Sequence, residues 1–291
     1  MSLRRWLAAS LLLFAAAGFT GRPAAVGRDD ADTFYAFGVG YQDIGDWHRA
    51  ADNFTKAITL NPVYAKAYHG RGIAYAQQGR LERAIADFTR ALELDPSLAN
   101  AYRNRGLAYR ERGNLDGALA DLTRAIALRP KDADVYAQRG EVRRRRGEPA
   151  AALADYKRAI ALNGYLGAAY AGRASVRLQQ GDAKGAVANY TKQIELRDDD
   201  AASAYRRRAA AYAQLGDAGS AMSDYGRAIA LSPSDVDAHL GRAALRRQQR
   251  NVQGALEDYT CAIGFDPSHA AVYRDQMRQA LEPAQPERNS P

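Results

Sequence analysis

Residues 68–96 read YHGRGIAYAQQGRLERAIADFTRALELDP, and residues 102–130 read YRNRGLAYRERGNLDGALADLTRAIALRP. The two stretches align without a gap at a shift of 34. The same frame extends from Ala31 to His269 as seven repeats: 31–64, 65–98, 99–132, 133–166, 167–200, 202–235 and 236–269. One inserted residue, Ala201, separates the fifth from the sixth. A fixed period of this length marks a repeat architecture. Each repeat is one supersecondary element that buries its apolar face only against its neighbours.

With each repeat numbered 1 to 34, the columns state what packs. Position 4 holds Phe34, Tyr68, Tyr102, Tyr136, Tyr170, Tyr205 and His239. Position 8 is small throughout, Gly38, Gly72, Gly106 and Gly140 and then Ala174, Ala209 and Ala243. Position 20 is always Ala, and position 24 is Phe54, Phe88, Leu122, Tyr156, Tyr190, Tyr225 and Tyr259. Position 27 is Ala except for Gln193. Apolar residues at 4, 8, 11 and again at 20, 24, 27 have helical spacing, so each repeat predicts two amphipathic helices. Gly near position 15 (Gly45, Gly79, Gly113, Gly147, Gly181, Gly216) predicts the turn between them, because glycine tolerates positive φ. Pro at position 32 in five repeats stops the second helix.

This pattern resembles the tetratricopeptide repeat (TPR) family. The resemblance implies an all-α fold: a right-handed α-solenoid of stacked helix-turn-helix repeats with a concave groove and a C-terminal capping helix. Ala271–Leu281 fits the cap, giving a capping helix at 270–281 and a disordered tail at 282–291. In this family the groove wall comes from first-helix positions 2, 5, 6, 9, 12 and 13. On that register the partner-binding groove is expected to use Arg103, Asn104, Arg110, Arg144, Arg206 and Arg207. Arginine forks suit carboxylates, so the expected partner is a protein or peptide, with an acidic segment as the fitting kind. Co-chaperone members grip a C-terminal carboxylate with Lys at position 5 and Asn at position 9. No repeat here carries that pair, so a chaperone-tail receptor is not expected.

Two further columns are electrostatic. Position 7 is Arg in six repeats (Arg71, Arg105, Arg139, Arg173, Arg208, Arg242), and position 23 is Asp in five (Asp87, Asp121, Asp155, Asp224, Asp258). Their co-occurrence predicts a repeated Arg–Asp contact between packed helices. Repeats four and five depart from the norm: Gly164 and Asp198 replace Pro, and Arg143 and Arg177 replace the Tyr of position 11. The fifth repeat pairs Arg173 with Asn189. These departures predict a less regular segment around 160–202, with a hinge or a change of pitch as its functional form.

The chain opens MSLRRWLAASLLLFAAAGFTGRPAA: two arginines, a 14-residue apolar run from Trp6 to Phe19, and small residues at Ala15–Ala17. This is the layout of a secretory signal peptide, expected at 1–17 and followed by a linker at 18–30. It implies an exported protein, periplasmic or secreted. The alternative is an uncleaved leader that anchors an intracellular or membrane-anchored TPR adaptor, the leader then making the one membrane contact. The composition, 47% hydrophobic and 25% charged, is that of a globular chain. A net charge of +8 accommodates an acidic partner and is too weak to demand nucleic acid. The single cysteine, Cys261, expected half-buried, excludes an intramolecular disulfide. No catalytic motif, cofactor loop or metal-ligand spacing stands out, and no small-molecule substrate is expected. The sequence therefore predicts a non-enzymatic interaction scaffold or adaptor with no cofactor and no metal.

Overall fold

The structure is a computed structural model that describes residues 28–196 and 200–281. The expected signal peptide, Asp198 and the expected tail lie outside the described residues. Among those described, every regular element is helical. The chain divides into two compact bodies with the boundary after Ala101. The first holds α1 (Arg28–Asp43), α2 (Trp47–Leu60), α3 (Ala65–Gln77), α4 (Leu81–Leu94) and the first turn of α5 (Ala99–Glu111). The second holds the rest of α5 and the helices that follow. These are α6 (Leu115–Leu128), α7 (Ala133–Arg145), α8 (Pro149–Leu162), α9 (Gly167–Gln179), α10 (Ala183–Glu195) and α11 (Ala201–Gln214). Then come α12 (Ala218–Leu231), α13 (Val236–Gln248), α14 (Val252–Phe265) and α15 (Ala270–Leu281). Within each body consecutive helices pack as antiparallel pairs, and each pair packs on the next, which is the stacking of an all-α solenoid. α15 follows a 3-10 turn at Pro267–His269 and packs on α14. α1 starts at Arg28, inside the stretch expected to be linker.

The predicted turn glycines all adopt positive φ, between 73 and 83°. The seventh repeat has Arg250 there with φ 60°, a conformation that is strained for a side chain with a Cβ. The next residue starts the second helix. Asp46, Asn114, Asp182, Asp217 and Asn251 each accept a hydrogen bond from the backbone N–H three residues on. These caps, typically worth ~1 kcal/mol each, make Gly-Asp or Gly-Asn the punctuation of four repeats.

The core is built from the second-helix columns. Position 24 is buried in every repeat, from Phe54 at 0% exposure to Tyr225 at 6%. Each such side chain stabilises by about 1.5–3 kcal/mol on burial. It lies under the small position 8: a Cβ on Gly72 would come within 2.6 Å of the Phe88 ring. Position 4 behaves differently. Its tyrosines are half-buried, and the position-7 arginine lies over each ring, as with Arg208 over Tyr205 at 5.4 Å. Cys261, expected half-buried, is exposed, because position 26 falls on the outer side of the second helix.

The Arg–Asp columns meet. Arg71, Arg105, Arg139, Arg208 and Arg242 each hold their aspartate by a two-pronged contact with distances of 2.6–3.0 Å. The five aspartates are buried. A fork of this kind pins the first helix to the second at a fixed register. Removing one partner of a buried pair costs about 3–5 kcal/mol, because the other charge is left in the interior.

Candidate functional site

In the second body, first-helix positions 2, 5, 6, 9 and 12 of α7 and α9 face a common space. A cavity of about 710 Å³ opens there. Asp134, Gln138, Glu141 and Arg144 line it from α7, and Ala171, Gly172, Ser175 and Gln179 from α9. Arg110 of α5 and Arg207 of α11 close its two ends. The register built from Tyr68 and Tyr102 thus brings inner-helix positions of four consecutive repeats to one opening. Among the described residues, no set of three or more His, Cys, Asp or Glu could hold a metal ion.

The floor comes from second helices, which the sequence reading assigned wholly to packing. Tyr156 of α8 and Tyr190 of α10 line the cavity. Gly172 is what lets Tyr156 through, since a Cβ there would lie 2.3 Å from the ring. Tyr156 donates to Glu141 at 3.3 Å, and Ser175 Oγ lies 3.1 Å from the Tyr190 hydroxyl. Gln193, the one break in the alanine column, also lines the floor at 2% exposure. Glycine at position 6 together with a polar residue at position 27 was the available signal.

The expected groove residues divide into three groups. Arg110, Arg144 and Arg207 line the cavity. Arg103 and Asn104 sit half-buried on α5 outside it. Arg206 is spent on acids at the junction with the next repeat, with Nε 3.1 Å from Asp235, the last residue of its own repeat, and Nη1 2.7 Å from Asp237 of the seventh.

The cations in the lining also differ from one another. Arg144 makes two bonds of 2.8 Å to Glu141, and Arg145 adds a third at 2.9 Å. Burial pushes the Glu141 carboxyl up, but the two guanidiniums outweigh it and hold the group at about 2. Arg110 contacts Glu111 at 2.6 Å. Arg207 has no ion pair among the described residues. The lining has Asp134, Glu141 and Asp200 against Arg110, Arg144 and Arg207, a balanced wall and not a uniformly basic one.

Tetratricopeptide repeat sequence profiles match residues 35–99, 171–235 and 221–270, with further repeat profiles over 106–147 and 88–120. Together the first three segments cover more than half of the chain. The chain belongs to the tetratricopeptide repeat family. No curated protein matches it. Among solved structures, a tetratricopeptide repeat protein from Parabacteroides merdae ATCC 43184 is 19% identical with a TM-score of 0.68. That match covers 87% of this chain and 100% of the other. YrrB, described as a TPR protein with an unusual peptide-binding site, is 28% identical with a TM-score of 0.52, over 65% of this chain and 97% of its own. PilW, a type IV pilus biogenesis factor, is 20% identical with a TM-score of 0.65, over 70% and 94%. At such identities the Parabacteroides protein and PilW show the TPR fold alone. The TPR fold suggests a protein–protein interaction scaffold, and TPR proteins typically bind peptides or proteins.

Proposed function

We propose that this TPR protein is a non-enzymatic scaffold or adaptor, exported from the cytoplasm, that holds an extended segment of a partner protein in the cavity lined by α5, α7, α9 and α11. The observation that carries the reading is that one cavity gathers inner-helix positions from four consecutive repeats. Its volume suits a few side chains of a peptide. Arg207 takes an acidic side chain of that segment. The tyrosine hydroxyls, Ser175 and Gln138 offer hydrogen bonds to its backbone. The likeness to YrrB supports a peptide as the ligand. The Arg4–Arg5, apolar-run and Ala15–Ala17 layout supports export.

Site-specific photo-crosslinking in the native cell tests this reading. A photoreactive residue at Asp134 or Gln179, on the cavity wall, should capture a defined partner outside the cytoplasm. The same residue at Ala127 or Ala161, exposed on second helices, should not. Equal capture from both faces would overturn the site, and a soluble cytoplasmic chain that retains Met1 would overturn export.

A further inference from the structure

The fifth repeat lacks acceptors that its sisters supply to the same guanidinium. Elsewhere the position-7 arginine is held by the aspartate of position 23. In the second, fourth and sixth repeats, for example, it also donates to the threonine of position 25 in the preceding repeat. Arg71 reaches Thr55 at 3.2 Å, Arg139 reaches Thr123 at 3.3 Å, and Arg208 reaches Thr191 at 3.0 Å. For Arg173 both acceptors have changed. Asn189 stands for the aspartate and Lys157 for the threonine. The Asn189 amide oxygen accepts from Arg173 Nε at 2.8 Å, while its nitrogen faces the carbonyl of Gly185. The sister arginines donate Nη2 to the second carboxylate oxygen. Nη2 of Arg173 has no such acceptor among the described residues.

A third cation points the same way. Position 11 carries Arg143, Arg177 and Arg246. Arg143 and Arg246 donate to the position-23 aspartate, at 2.8 and 3.1 Å. Arg177 finds no carboxylate there. Its Nη1 is 3.5 Å from the Gly185 carbonyl, and its Nε is 3.7 Å from Asp182, a half-exposed residue that already caps α10. Arg71, Arg105 and Arg208 are all held above the usual guanidinium range, first by the hydrogen bond to their aspartate. Arg173 is pushed the other way, by burial and then by the charge of Arg177. This cluster lies on positions 7, 11 and 25, none of which lines the peptide cavity.

We propose that Lys157, Arg173 and Arg177 bind a small inorganic oxyanion, phosphate or sulfate, which supplies the negative charge that an aspartate supplies in the sister repeats. Guanidinium forks match the oxygens of such ions geometrically, and the exposed Lys157 adds a point charge at the rim. The ion is linked to folding, because Lys157 stands on α8 while Arg173 and Arg177 stand on α9.

The test is a thermal melt and a calorimetric titration of the full chain. Phosphate and sulfate are each compared with chloride at matched ionic strength. Millimolar phosphate or sulfate should raise the native Tm by ~2–4 °C over chloride. Asn189→Asp should abolish that difference and, in chloride, melt no lower than the phosphate-saturated native chain. Lys157→Thr, an exposed change that leaves the core alone, should weaken oxyanion affinity several-fold. In the converse experiment, Asp155→Asn should create a second oxyanion-dependent step at Arg139 and Arg143. Equal melting in chloride and phosphate, or an oxyanion effect that survives Asn189→Asp, would overturn the proposal.

Discussion

Glu141 shows how a residue at a groove position can be committed before any ligand arrives. Its carboxyl accepts from Arg144, Arg145 and Tyr156, and this holds α7 to the floor of the cavity. Its folded pKa of about 2 lies below the ordinary 4.5, so the carboxylate stabilises the fold fully above about pH 5. That contribution is lost as pH falls from 4.5 towards 2. Glu141→Gln should therefore lower stability by about 1–2 kcal/mol at pH 7, with the gap to the native chain closing as pH approaches 2. Chemical denaturation of both proteins at stepped pH measures it, and a gap that stays constant to pH 2 would contradict the assignment. At this scale the sequence was half legible. Glu141 and Arg144 are three residues apart on one helix, a spacing that pairs them by geometry alone. The Arg206 contacts with Asp235, at the end of its own repeat, and Asp237, in the next, join residues about 30 apart in the chain and needed the packed register. An arginine at a groove position can thus be a fork already filled, as Arg144 is by Glu141.

The elements themselves were largely written in the columns, and their ends were written twice. Proline at position 32 looked like the stop signal of the second helix. Yet α8, which lacks it, ends at position 30 like its sisters, with Asn163 Oδ1 accepting from the Tyr165 N–H. The local side-chain turn suffices, and proline only reinforces it. α10 is the true exception. It ends one position early, at Glu195, and its core columns carry Asn189 where five sisters have aspartate and Gln193 where all have alanine. Its buried apolar cluster is reduced to Ala174, Ala186, Tyr190 and Ala211. Local stability follows such packing. Amides of α9 and α10 should exchange with solvent at least tenfold faster than those of α3 and α4, a difference of about 1.4 kcal/mol in local opening. Hydrogen exchange followed by mass spectrometry checks this. Equal protection of the two segments would remove the case for a hinge in the fifth repeat.

At the scale of the molecule, stacked helix pairs turn a periodic sequence into an interaction surface. Each repeat has two sides. Positions 7, 20, 23 and 24 are buried or ion-paired between helices, and positions 2, 5, 6, 9 and 12 of the first helices line the cavity. The family and the register were legible because packing demands repeat every 34 residues. The cavity floor was not, since it depends on one glycine in one repeat letting a tyrosine of its neighbour through. The central claim is that a partner segment is held in this cavity with Arg207 as its fork. The most direct test is the affinity of the partner captured from the cavity wall for Arg207→Glu against the native chain, with thermal melts alongside. The account predicts an affinity at least tenfold lower, about 1.4 kcal/mol, and a Tm within ~2 °C of native. Native affinity in the Arg207→Glu chain would contradict it.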